Sequence, residues 1–125
     1  LLKGEEPKSL LLKVKPALVK EEVLDIQRQI SGVHVSDALL EYLQDILDFT
    51  RTSPQIYMGL SPRAGMALLQ TAKSWAFLHG RDFALPEDLQ QILPWVISHR
   101  LKSKDDLQHF SSEKIKALMM EVPIP

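Results

Sequence analysis

The run Gly59-Leu60-Ser61-Pro62-Arg63-Ala64 holds the side chain whose placement most asks for a ligand. Ser61 is a good N-cap residue, because its hydroxyl can accept an orphan backbone N–H of a first helical turn. Pro62 then falls at the first helical position, where a missing N–H does no harm. Arg63 comes next, and a cation there opposes the helix dipole by a few tenths of a kcal/mol, roughly. Local stability does not explain it. An anion placed at that point would meet both the helix N-terminus and the guanidinium.

Other arrangements carry less chemistry. Asp45 and Asp48 stand three apart, as paired carboxylates for acid–base or metal work would, but no histidine partners them at helical spacing. A solvated polar face accounts for them. The four histidines, His34, His79, His99 and His109, are scattered, and none has a second ligand at metal spacing. Gly59-Leu60-Ser61-Pro62-Arg63 lacks the second glycine of a nucleophile elbow, so Ser61 reads as a cap. The chain has no Gly-Lys dipeptide, hence no Walker A phosphate loop, and no acidic pair after an apolar strand to serve as Walker B. Trp75 and Trp95 read as core, because no basic stripe interleaves them to make a stacking platform. No catalytic residue is expected within this chain.

The elements that position Arg63 are helices. The run from Gly59 to Arg81 predicts a central one, with Ala64, Leu68, Leu69, Ala72, Trp75 and Ala76 as one apolar stripe. Gly80 sits where the chain leaves through a left-handed conformation. A first helix is predicted over 18–30, ended by Gly32. A second runs from Ser36 to Phe49, with Leu39, Leu40, Leu43, Ile46 and Leu47 as a wide apolar stripe and Tyr42, Asp45 and Asp48 on another face. Thr50 to Leu60 is a loop that feeds into Arg63 and forms a candidate site edge.

Beyond the central helix, Phe83 and Leu85 are expected to be buried in a turn. The fourth helix starts at Pro86-Glu87-Asp88, where Leu85 cannot act as a side-chain cap, a loss of about 1 kcal/mol. Pro94 is expected to kink it. Residues 102–110 form a polar linker, and a last short helix spans Ser112 to Met120. The fold class is therefore all-α, a small bundle of four to five helices. Residues 1–17, with Pro7, Pro16 and a Leu10–Leu12 cluster, read as a connector from an upstream domain, and 18–125 as the helical domain. The opening residues lack an initiator methionine and a signal-peptide pattern, which points to a cut inside a longer protein.

Composition narrows the function classes. Hydrophobic residues make up 45% of 125, enough to fold. Lys and Arg total 15 against 16 for Asp and Glu, a net charge of −1. That leaves no electrostatic footprint for nucleic acid or an acidic membrane. The absence of cysteine excludes a disulfide framework and permits a reducing compartment. No apolar run reaches the roughly 20 residues that span a bilayer. A free-standing helical interaction module and a small DNA-binding helical domain stay open as alternatives, the latter disfavoured by charge.

The stretch GLSPRAGMALLQTAKSWAFLHGRDFALPEDLQQILPWVISHRL resembles the C-terminal lid of MoxR-type AAA+ ATPases. The pattern is Ser-Pro-Arg-Ala, a Leu/Ala-rich helix, Gly-Arg-Asp, Pro-Glu-Asp, and a helix ending in His-Arg. Val35, Ser36, Leu40, Tyr42 and Thr50-Arg51 fall in family-like places, as does the closing Val122-Pro123-Ile124-Pro125. Leu85 departs from the pattern, replacing the usual small hydroxyl cap. The resemblance implies a lid over bound ATP, with Arg63 as the second-sensor arginine on the phosphates and Ser61 and Pro62 placing the helix start. It implies ATP and Mg2+ as ligands of a full-length ATPase, none bound tightly by this chain alone. It implies partners in the chain's own N-terminal AAA+ core, neighbouring ring subunits and a client protein, and a chaperone-like, cytoplasmic machine.

Overall fold

The computed structural model describes residues 17–125. The connector expected over 1–17 lies, apart from Ala17, outside the described residues. In chain order the elements are α1 (Lys20–Ser31), β1 (His34–Val35), α2 (Asp37–Thr52), α3 (Pro62–Leu78), β2 (Phe83–Ala84), α4 (Pro86–Ile97) and α5 (Ser112–Met119). The architecture is all-α, as the periodicity predicts, with one addition. β1 and β2 form a two-residue parallel ladder pairing His34 with Phe83 and Val35 with Ala84. The His34 N–H donates to the Asp82 carbonyl at 2.8 Å. A pairing this short has no sequence signature, because neither strand is long enough to show a period.

Helix starts follow cap chemistry. Ser36, Ser61 and Ser111 each accept, on the hydroxyl, a backbone N–H from three residues on. α2 runs through Arg51 to Thr52, beyond the predicted end at Phe49, since nothing before Pro54 forbids helix. α3 ends in a Schellman arrangement. Gly80 has φ 77°, the Gly80 N–H donates to Phe77 O at 2.9 Å, and the Arg81 N–H donates to Ala76 O at 3.0 Å.

The main core lies between α2, α3, α4 and α5. Leu43, Ile46, Leu68, Ala72, Leu89, Ile92, Leu93, Ile97 and Ile115 pack there, joined by Ile56, Leu101, Phe110 and Val122 from connecting segments. A smaller cluster of Val33, Leu39, Ala76 and Ala84 fills the space at the ladder. α1 buries no residue completely. It is attached more loosely, in part by the Lys73 ammonium donating to Ser31 O at 3.0 Å.

Several burial expectations are corrected. Tyr42 is fully buried rather than on the polar face with Asp45 and Asp48. Phe83 and Leu85 are 40% and 38% exposed, and Ala84 between them is buried, because strand residues alternate sides. Trp95 is 64% exposed and leans on Trp75 at 5.6 Å between ring centroids, so only the latter borders the core. The polar linker over 102–110 is folded back. Lys102 pairs with His109, Ser103 pairs with Ile56, and Leu107 adopts φ 59° at the turn. α4 continues through the buried Pro94 to Ile97.

The Tyr42 hydroxyl has no hydrogen-bond partner among the described residues. Burial pushes its pKa up, and the nearby Gln90 side chain offsets this only in part. An unpartnered buried polar group costs about 1–3 kcal/mol. Tyr42→Phe is therefore expected to leave stability unchanged or to raise it by about 1 kcal/mol in denaturant unfolding. A loss of that size would show that the hydroxyl has a partner.

Candidate functional site

Arg63 lies in the first turn of α3, exposed to solvent. It makes no hydrogen bond or ion pair with any described residue, and α3 has no acidic residue in its first turn to balance it. Its sequence neighbours each have a structural task. The Ser61 hydroxyl accepts the Ala64 N–H at 3.1 Å, Pro62 takes the first helical position, and Ala64 is buried. The Arg63 N–H belongs to the first-turn groups that no intrahelical acceptor reaches. Guanidinium and helix N-terminus thus lie together at one place on the surface.

The segment before α3 is held tightly. Thr50, buried near the end of α2, donates its hydroxyl proton to Leu47 O at 2.8 Å and accepts the Leu60 N–H at 3.0 Å. The Arg51 Nε donates to Leu60 O at 3.3 Å. Gly59 passes so close to α2 that a Cβ there would fall 2.8 Å from the Arg51 Cα, and only glycine fits. From the other side, the Tyr57 N–H donates to Lys102 O at 2.9 Å and the Lys104 N–H to Gln55 O at 3.0 Å.

An open cleft borders this start, lined by Gly59, Leu60, Ser61, Ala64, His99 and Arg100. His99 and Arg100 follow α4 and bring further donors beside α3. In the sequence they stand only as the His-Arg pair that closes a helix. The signal for more was their place in the Gly-Leu-Ser-Pro-Arg to His-Arg pattern, which spacing along one helix cannot convert into proximity. Asp45 and Asp48 are exposed on α2, and among the described residues no group of three or more potential metal ligands converges.

The far end of α3 is fixed by an ion pair. The Arg81 guanidinium grips Asp88 with two hydrogen bonds, Nη1 to Oδ2 at 2.7 Å and Nη2 to Oδ1 at 2.5 Å. Asp88 Oδ2 also accepts the Leu85 N–H at 2.7 Å. That contact supplies half of a capping box and makes good part of what Leu85 lacks as a cap. Arg81 also donates to Phe83 O at 3.2 Å and lies 5.6 Å from the Phe83 ring centroid. Burial pushes the Asp88 carboxyl up, but the hydrogen bonds from Arg81 and Leu85 and the Arg81 charge outweigh it and hold the pKa below its usual value.

Residues 48–118 match the family described as the AAA lid domain. The chain is 31% identical over 109 residues to the uncharacterized protein YeaC of Bacillus subtilis, covering 87% of this chain and 34% of that protein. It is 31% identical over 96 residues to the chaperone MoxR1 of Mycobacterium tuberculosis, covering 70% of this chain and 26% of MoxR1. The crystal structure of a protein described as an ATPase from Cytophaga hutchinsonii superimposes with a TM-score of 0.77 at 24% identity, over 98% of this chain and 44% of that one. The match, from the last turn of α2 to α5 and over more than half of the chain, makes this chain a member of the AAA lid domain family. Within that family it is a MoxR-type AAA+ lid. The chain spans between a quarter and about a third of the length of these two curated relatives.

Because Asp88 gives up its proton more readily folded than unfolded, its stabilisation is complete above the ordinary Asp range near pH 4. It is lost as pH falls through the lower folded value. Thermal unfolding of the wild type and of Asp88→Asn should differ by a constant amount between neutral pH and about pH 5, with the wild type more stable, and converge below about pH 4. A gap that persists unchanged to pH 2 would contradict the ionised clamp.

Proposed function

We propose that this domain is the lid of an ATP-hydrolysing machine and that Arg63 is its second sensor, reaching the phosphates of a nucleotide held by an AAA+ core. The supporting observation is the exposed guanidinium in the first turn of α3. Its sequence neighbours Ser61, Pro62 and Ala64 are committed to structure, and its own charge is unfavourable until an anion arrives. Ser61 and Pro62 act by placing that turn. A guanidinium so placed stabilises charge on the transferring phosphoryl group and reports nucleotide state through the orientation of the lid. ATP and Mg2+ are then ligands of the longer protein, with the magnesium held by the core.

In the same proposal the domain lies between its own core and neighbouring ring subunits. ATP turnover is coupled to chaperone-like remodelling or assembly of a client protein, the role carried by the name of MoxR1. The compartment is the cytoplasm, where ATP is made available. Among the described residues no helix is long and apolar enough to cross a membrane.

The test is Arg63→Ala in the longer ATPase that carries this domain. Turnover should fall by about 10- to 1,000-fold, the range found when a charge-stabilising group is removed from an active site. Stability of the 125-residue chain should change by less than about 0.5 kcal/mol, because the side chain is exposed and alanine suits a helix. Turnover equal to wild type would exclude the sensor role.

A further inference from the structure

We infer that Thr50 is a positioning residue for Arg63. It would act through the α2–α3 junction and not by touching nucleotide, and this rests on the sensor assignment above. Thr50 is on a different helix from Arg63, yet its hydroxyl is the fixed point from which α3 begins. That hydroxyl is buried and fully used, donating to Leu47 O and accepting from Leu60 N–H. Leu60 is held again at its carbonyl by the Arg51 Nε. Both backbone groups of the residue immediately before the Ser61 cap are therefore tied to the last turns of α2. Gly59 removes the side chain that would push the junction away from Arg51.

The physical consequence is angular. Arg63 stands only three residues beyond Leu60, and those residues are a cap, a proline with fixed φ and the arginine itself. Little freedom remains between the pinned Leu60 and the guanidinium's Cα. A shift of the junction passes directly into where the guanidinium points. Misplacement by about 1 Å of a group that must meet a transition state costs on the order of 100-fold in rate. Valine keeps the shape of threonine but can neither donate to Leu47 O nor accept from Leu60 N–H. Serine keeps both bonds.

The experiment compares Thr50→Val, Thr50→Ala, Thr50→Ser, Arg63→Ala and the Thr50→Val/Arg63→Ala double variant. ATP turnover of the longer ATPase is measured well below its unfolding temperature. Amide exchange at Leu60 is followed in the 125-residue chain. If Thr50 positions Arg63, Thr50→Val lowers turnover about 10-fold or more and Thr50→Ser stays within about twofold of wild type. Leu60 exchange accelerates in the Val variant and not in the Ser variant. In the Arg63→Ala background Thr50→Val adds no further loss, since there is no longer a guanidinium to aim. Thr50→Ala carries the same expectation as Val should the Val variant fail to fold. The assignment is overturned if Thr50→Val and Thr50→Ala keep wild-type turnover while Arg63→Ala loses it, or if the Val and Arg63 losses multiply. Wild-type turnover in Arg63→Ala would instead remove the sensor reading, and this assignment with it.

Discussion

Asp88 is a nearly buried carboxylate, and a buried charge without donors would be one of the most costly features a small domain could carry. It is tolerated because Arg81 meets it with two hydrogen bonds and Leu85 with a third. Meeting that requirement sets much of the remaining geometry. Arg81 can reach Asp88 only if α3 ends in the left-handed turn at Gly80 and the chain doubles back into α4. The short strand between them then lies where Ala84 can be buried and where Val35 can pair with it. α3 and α4 are locked at one end by charge and along their length by Leu68, Ala72, Leu89 and Ile92. The Gly-Arg-Asp and Pro-Glu-Asp patterns of the sequence are thus the two halves of one clamp, and their task is structural.

The opposite end of α3 is organised differently. Among the described residues no ion pair ties the start of α3 to its neighbours, the nearby Arg51–Asp48 pair lying within α2. Thr50, Arg51 and Gly59 hold the approach with neutral or singly charged hydrogen bonds and a close backbone passage. Under the proposed sensor role, a guanidinium that is to meet phosphate is best kept clear of a carboxylate, which would compete for it. The division fits the proposed role, in which the helix is rigid at one end and receptive at the other. Ser61, Pro62 and Ala64 shape that end, and Arg63 has no hydrogen-bond or ion-pair partner among the described residues. In the proposed role, this lid presents one cation at the start of a stiff helix.

Local chemistry made the helices legible. Ser36, Ser61, Pro62 and Gly80 do in the structure what their types dictate, and the stripe of Leu68, Ala72 and Ala76 faces the core. Errors arose where the deciding partner lies far along the chain. Tyr42 shares a helical face with aspartates by spacing alone, and α4 packing over it reverses that assignment. Phe83 and Leu85 are large and apolar, yet a strand of two residues buries only the small Ala84 between them. Trp95 has a bulk that suggests burial, but it lies at the outer edge of the α4 stripe. Asp88 reads as a first-turn dipole partner, and its bond to Arg81 across the turn is invisible to any helical period. Of the candidate site, Arg63 stands out in the sequence because its charge is locally unfavourable. Thr50 and Arg51 were legible only as part of a pattern, since their partner Leu60 is reached through a loop with no periodicity.

The most direct measurement is a crystal structure of the ATPase proposed to carry this domain, with a non-hydrolysable ATP analogue bound. The Arg63 guanidinium should lie within about 3 Å of a phosphate oxygen, with α3 starting as it does here and Leu60 still bound to Thr50. A nucleotide bound between core and lid with Arg63 turned to solvent, and its phosphates met by other cations, would contradict the account.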